Sequence, residues 1–391
     1  MSVFPQSEYA QRVRAARQAM EKQGMDVILM ADPANMNYLT GYDGWSFYTP
    51  QVVVLSLEDE QPFWIGRGMD ANGARHTVWM DRDHIIGYPD SLVQVKDDHP
   101  MRFTGKFLRE NKLHKGRIGV EKDAYYFTAR WLEELLTVLP DAAPADCTLL
   151  VNRVRSIKSA AEIAYMKQAG QIAEKVMQAA LDNIRPGVRE CDAVAEVYRA
   201  QMRGLPEFGG DYPAIVPMMP TGEKTSAPHL TWTDEPYRKD QAVNLELAGC
   251  RHRYHCPIAR TAYVGSNPPQ KLQDLALRTV DGLNLTLDAI RPGMKCEDVE
   301  MVWRKHIARF GLEKESRIGY SMGLNYPPDW GEHTMSLRPG DKSVLKPDMT
   351  FHMILGMWMD DFGFECSESF QVTDSGCETF ASFPRRLFVI K

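Results

Sequence analysis

Leu181–Asp192 reads LDNIRPGVRECD, and Leu287–Asp298 reads LDAIRPGMKCED. In each stretch a helical pattern runs into Ile-Arg-Pro-Gly and a second helical pattern follows, so each reads as helix–turn–helix. Either the same common corner occurs twice, or one domain is built from two similar halves, each a helix pair followed by strands. Strand-like stretches fall where the second reading needs them. Ala242–Ala248 and Ile258–Val264 follow the first copy, and Met349–Trp358 and Phe364–Val372 follow the second. Paired units of this kind commonly hold a ligand at their junction.

Working outward, Ser159–Leu181 reads as a long helix, with Ser159 as its cap and Glu162 completing a capping box. Before it, Leu139–Asp146 (LPDAAPAD) is rich in Pro, Ala and Asp and is the candidate boundary. Further upstream, Glu8–Lys22 and Trp131–Leu139 read as helices, and Asp26–Met30 and Val52–Leu57 as strands. The expected fold is therefore α/β (α+β): a small N-terminal α/β domain over 1–150 and a larger two-halved domain over 151–391.

A length of 391 residues suits two domains, and 44% apolar with 25% charged residues is ordinary for a globular protein. The net charge of −6 argues against a nucleic-acid binder. No stretch approaches the roughly 18–20 apolar residues of a transmembrane helix. The N-terminus carries charges throughout and has no signal core. Seven cysteines with no CxxC pair argue against a disulfide scaffold and a structural zinc site. The expectation is a cytoplasmic globular protein without membrane or nucleic-acid partners.

Four clusters carry candidate chemistry: Ala227-Pro228-His229 in a loop, Glu246 inside an apolar strand, the Gly- and Pro-rich stretch from Arg317 to His333 with Tyr320 and Tyr326, and FECSESF (Phe364–Phe370) with Glu365 and Glu368. Carboxylates in buried strands are costly without partners. One reading puts Glu246 and a late glutamate in a pocket with His229, the carboxylate as nucleophile or cation binder and the imidazole as proton carrier. The other pairs Glu246 with Arg253 or Arg260 across a hairpin and leaves His229 as a surface loop residue. His252 and His255 read as part of an exposed basic turn; His333 and His352 are candidate supporting groups.

These residues resemble the creatinase/aminopeptidase superfamily of pita-bread fold, the M24-like group that includes methionine aminopeptidases and prolidases. NRVRSIKSAAEIAYMKQA (Asn152–Ala169) resembles its Arg-x-x-Lys-Ser helix start, and VNLELAGCRHRYHCPIART (Val243–Thr261) resembles its central hairpin. The N-terminal part resembles its accessory domain more weakly. The family's metallopeptidases bind two metals through two Asp, one His and two Glu. Here those positions fall on Glu246, Pro257, Tyr320, Ile354 and Ser367, with Glu365 and Glu368 near the last. Proline and isoleucine cannot ligate through their side chains, so no metal and no other cofactor is expected.

The resemblance then implies a metal-free hydrolase of the creatinase type, whose catalytic His matches His229. Its aromatic residue given by a partner subunit matches Phe47; the Arg that follows falls on Thr49, and the substrate-binding Glu near Asn244. The whole chain, including GYSMGLNYPPDWGEHTMSLRPGD, looks most like the branch that opens the cyclic amidine of the compatible solute ectoine, giving N-acetyl-L-2,4-diaminobutyrate. Hydroxyectoine is a second candidate substrate. The implied catalytic set is Glu246, His229, Glu368 and Tyr320. Trp45, Phe47, Tyr48, Glu365, Tyr326 and His333 are implied to bind substrate, near the subunit interface of a homodimer. The alternatives are a metal-dependent Xaa-Pro aminopeptidase or prolidase, and a pseudoenzyme that uses the fold for binding.

Overall fold

The structure is a computed structural model and describes residues 3–391. The chain forms two compact units, Met1–Arg155 and Ser156–Lys391. The first unit runs α1 (Gln6–Gln23), β1 (Val27–Met30), α2 (Pro33–Thr40), β2 (Val52–Ser56), β3 (Phe63–Arg67), α3 (Ala71–Thr77), β4 (Ile85–Tyr88), α4 (Pro100–Glu110), β5 (Ile118–Val120), α5 (Ala129–Val138), β6 (Ala145–Asp146) and α6 (Leu150–Val154). Its mixed sheet has the order β4-β3-β2-β1-β5-β6. The apolar runs of β1, β2 and β5 are buried with Trp131 and Leu135 of α5 in one core, as strands covered on both faces require. The Pro- and Ala-rich stretch proposed as a boundary contains β6, which pairs with β5; the division of the chain falls beyond α6, after Arg155.

The second unit opens with α7 (Ala160–Asn183) and α8 (Glu190–Arg203), followed by the hairpin β7 (Gln241–Arg251) and β8 (Tyr254–Val264). Then come α9 (Gln270–Ala289), α10 (Cys296–Ala308), β9 (Gly319–Met322), β10 (Gly331–Leu337), β11 (Thr350–Trp358), β12 (Gly363–Val372), β13 (Cys377–Thr379) and β14 (Leu387–Ile390). Ser159 caps α7, and the reciprocal bond from Glu162 completes the capping box. Both copies of Ile-Arg-Pro-Gly join a helix pair, α7 to α8 and α9 to α10, and they repeat the same local chemistry. Gly187 and Gly293 take φ of 88° and 90°, a conformation that favours glycine. Arg185 Nη1 donates to the carbonyls of Leu181 and Ile184, and Arg291 Nη1 to those of Asp288 and Ile290, satisfying helix-end acceptors. The two-halved reading of the repeat is the one the structure adopts.

Two sheets follow from the halves, β14-β8-β7 and β10-β9-β11-β12-β13. Hydroxyl side chains join β8 to β12. The Ala259 N–H donates to Ser367 Oγ at 2.6 Å, Ser369 Oγ donates to Pro257 O at 2.6 Å, and the Glu365 N–H donates to Thr261 Oγ1 at 2.8 Å. This holds the middles of β7, β8, β11 and β12 side by side. The β7–β8 turn consists of His252 and Arg253, both at positive φ. His255, expected in that exposed turn, is instead buried in β8, where its Nε2 accepts the Ala214 N–H at 2.8 Å and burial lowers its pKa to about 4. All seven cysteines are free thiols. Among the described residues no helix is long and apolar enough to cross a membrane.

Candidate active site

Glu246 sits in the middle of β7, opposite Ala259 of β8. Its backbone is fixed on the other side by Met218, N–H to O at 3.0 and 3.2 Å in the two directions. The side chain is nearly buried, and among the described residues its carboxylate has neither a hydrogen bond nor an ion pair. Burial, with Glu365 and Asp329 nearby, pushes its pKa well above the ordinary carboxylate value. Neither expected arginine partner reaches it. Arg260 pairs with Glu368, and Arg253 lies over the Tyr212 ring at 3.5 Å.

Glu365 of β12 is the second buried carboxylate here. Trp358 Nε1, at the end of β11, donates to its Oε1 at 3.1 Å. Burial raises Glu365 to about 7, against the Trp358 hydrogen bond and the charge of Lys314. Glu246 and Glu365 thus form a pair of interacting carboxylates with no cation in salt-bridge contact among the described residues, an arrangement suited to receiving a positive charge.

Tyr320 of β9 accepts a hydrogen bond from Trp330 Nε1 at 2.7 Å and lies 3.0 Å from His352 Nδ1 on β11. His352 Nε2 is 2.7 Å from Ser367 Oγ. Burial pulls His352 down to about 3, so the ring is neutral and can accept a hydrogen bond from the Tyr320 hydroxyl while its other nitrogen donates to Ser367. Burial and the charge of Glu246 push the Tyr320 phenol well above its ordinary value, so Tyr320 remains an O–H group near Glu246. Asp329 completes the electrostatic surroundings. Burial alone would raise it, but hydrogen bonds from His333 and the Gly331 N–H outweigh that and keep it below the usual carboxylate range.

His229 is exposed, in the loop after the 3-10 turn Gly222–Ser226. Thr225 ties that turn to both sheets. Asn244 Nδ2 donates to its carbonyl and the Gly363 N–H to its hydroxyl, each at 3.1 Å. A Cβ on Gly363 would stand 2.0 Å from the Thr225 carbonyl oxygen, so only glycine permits this approach. Pro228, next to His229, lines a cavity with Trp358 and Lys314.

Three expected site residues stand elsewhere. Glu368 faces away from Glu365, fully buried, with Arg260 Nη2 at 2.6 Å and Arg385 Nε at 2.9 Å. Residues 365 and 368 differ by an odd number, so the strand pleat sends them to opposite faces. Tyr326 packs near Arg253, 5.6 Å from ring centroid to guanidinium, at the β7–β8 turn. His333 is exposed and holds Asp329 at 2.7 Å. In the first unit, Phe47 is buried with its ring 4.8 Å from Trp45 and 5.1 Å from Tyr126, while Trp45 and Tyr48 are exposed. The sequence reading missed Asp329, Trp330, Trp358 and Lys314. The first two lie in PPDW, whose aromatic and acid beside a proline pair were the available signal.

Residues 164–374 match the model of metallopeptidase family M24, and residues 12–157 match the creatinase/prolidase N-terminal domain. The chain belongs to metallopeptidase family M24. A protein of Halomonas elongata named ectoine hydrolase is 47% identical, over 99% of this chain and 98% of its own. An uncharacterized hydrolase/peptidase of Sinorhizobium fredii is 44% identical, over 99% and 98%. Among solved structures, an Xaa-Pro dipeptidase from Bacillus anthracis superposes with a TM-score of 0.81 at 22% identity, over 98% of this chain and 100% of that one. The last likeness shows the shared fold. This M24 chain is a hydrolase.

The M24 family name implies metal, and the donors here do not fit one. Pro257 and Ile354 offer no side-chain donor. The hydroxyls of Tyr320 and Ser367 are engaged by Trp330, His352 and Ala259. Among the described residues no three His, Cys, Asp or Glu side chains group as a metal site. Glu246 and Glu365 remain, too few for the oxygen and nitrogen shell a divalent ion needs.

Proposed function

We propose that this M24 chain hydrolyses ectoine, opening its cyclic amidine to N-acetyl-L-2,4-diaminobutyrate without a metal, as a step in degrading that compatible solute. The observation that carries the reading is the buried pair Glu246 and Glu365, uncompensated by any cation in salt-bridge contact among the described residues. An amidinium supplies the missing positive charge and two N–H donors. The Halomonas elongata relative, similar along the whole chain, bears the matching name.

In this mechanism a Glu246 oxygen adds to the amidine carbon, cancelling its charge. The bond from that carbon to one ring nitrogen breaks as the nitrogen takes a proton from the His229 imidazolium. The remaining carbon, double-bonded to the other nitrogen and bound to Glu246, is attacked by water. Loss of two protons, one of them back to His229, and departure of Glu246 leave the acetamide. In the other version Glu246 anchors the amidinium and His229 activates water directly. Glu365 holds ring N–H groups in both, and the Tyr320 O–H, turning from His352 to the substrate, stabilises the tetrahedral carbon's substituents. The proposal includes a cytoplasmic homodimer whose Trp45, Phe47 and Tyr48 close the partner subunit's pocket, as the family resemblance implies.

The test is incubation of chelator-treated protein with ectoine, following the new acetyl methyl by NMR and the released primary amine. Activity is expected to persist, and Glu246→Gln to lose on the order of a thousandfold in kcat with its circular dichroism unchanged. Near wild-type turnover by Glu246→Gln sinks both versions. Activity lost to the chelator and restored by Mn or Co, or seen only on X-Pro dipeptides, returns the chain to the peptidases.

A further inference from the structure

Trp358, the hydrogen-bond partner of Glu365, lines a cavity of about 550 Å³ together with Pro228, Lys314, Ser316 and Met357 among others. Lys314 is the one cation lining it among the described residues. The side chain is half-buried, and its position is fixed on three sides. Nζ donates to Gly356 O at 2.7 Å and to Ser316 Oγ at 2.8 Å, and lies 4.3 Å from the centroid of the Trp358 ring. An ammonium has three N–H donors, so one is left over. No carboxylate forms an ion pair with Lys314 among the described residues, whereas buried cations are normally paired. Glu313 and Glu315 also border the cavity but are exposed, where solvent screens them.

The same Trp358 that carries Lys314 on its face donates its indole N–H to Glu365. Glu365 and a lone cation therefore stand on two parts of one ring. We propose that Lys314 is the anchor for the substrate's carboxylate, so that the pocket grips a small zwitterion at two points, its amidinium at Glu246 and Glu365 and its carboxylate at Lys314. This inference rests on the ectoine reading and adds to it the residue that selects a carboxylate-bearing ring over a plain amidine. Burial lowers the Lys314 ammonium to about 8, with Glu365 acting in the opposite direction; a bound carboxylate would favour the charged form.

The test compares wild type, Lys314→Met and Lys314→Arg on ectoine and on 2-methyl-1,4,5,6-tetrahydropyrimidine, the same ring without the carboxylate. KM and kcat are measured for ectoine, and Ki for the plain ring as a competitive inhibitor. Lys314→Met is expected to raise KM for ectoine about tenfold or more with a smaller change in kcat, and to leave Ki for the plain ring unchanged. Lys314→Arg should restore most of the KM. An equal loss for both rings, or no loss for either, overturns the carboxylate anchor while leaving ectoine hydrolysis standing. Failure of the wild type to turn over ectoine overturns both.

Discussion

On β12 two glutamates stand on opposite faces and meet opposite surroundings. Glu368 is locked against Arg260, whose other donors go to the carbonyls of Ala259, Ser367, Phe383 and Pro384. It ties the C-terminal segment to the sheet rather than facing the Glu246 pair. Removing one member of such a buried pair leaves the other charge uncompensated, at about 3–5 kcal/mol. Glu368→Gln should therefore lower stability in urea by an amount of that order, with the KM for ectoine little changed in the fraction that remains folded. Glu365 behaves differently because Trp358 and Lys314 offset only part of its burial. Its carboxylate form gains population as pH rises through about 7, so ectoine binding should strengthen between pH 6 and pH 8. A KM independent of pH across that range would remove Glu365 from the amidinium site.

At the level of the element, the repeated corner is set by its own short sequence. Proline ends each first helix, glycine takes the left-handed backbone, and the arginine before the proline caps the carbonyls. At Gly187 and at Gly293 a Cβ would meet nothing within 4 Å, so a substitution there is opposed by backbone strain alone. Gly187→Ala and Gly293→Ala should each cost about 1–2 kcal/mol in denaturant unfolding, and the costs should add, because the corners share no partner. A much larger cost at one corner would show that the copies are not equivalent. The α7 start is equally local: Ser159 and Glu162 satisfy each other's backbone, and Ser159→Ala should cost about 1 kcal/mol.

For the whole molecule, the carboxylate pair has a stability consequence. A carboxyl with a folded-state pKa above its unfolded value holds its proton more tightly when folded. Its stabilising contribution is present below the unfolded value of 4.5 and is lost as pH rises through about 7. Glu365→Gln removes that loss, keeps an acceptor for Trp358, and should raise unfolding stability at pH 8 by up to about 3 kcal/mol while changing little at pH 4.5. Equal effects at both pH values would mean that Glu365 is not held in its protonated form by the fold. The apolar periods, the capping box and the repeated Ile-Arg-Pro-Gly determined the helices, the main strands and the two-halved plan by themselves, because each depends on residues a few positions apart. They also singled out Glu246, an acid in an apolar strand. Which late glutamate faces it, that His255 is buried, and that Lys314 and Trp358 stand beside Glu365 were decided only by the tertiary structure. Those facts depend on strand register and on loops distant in sequence, where the energy comes from burial and from partners that no local pattern names.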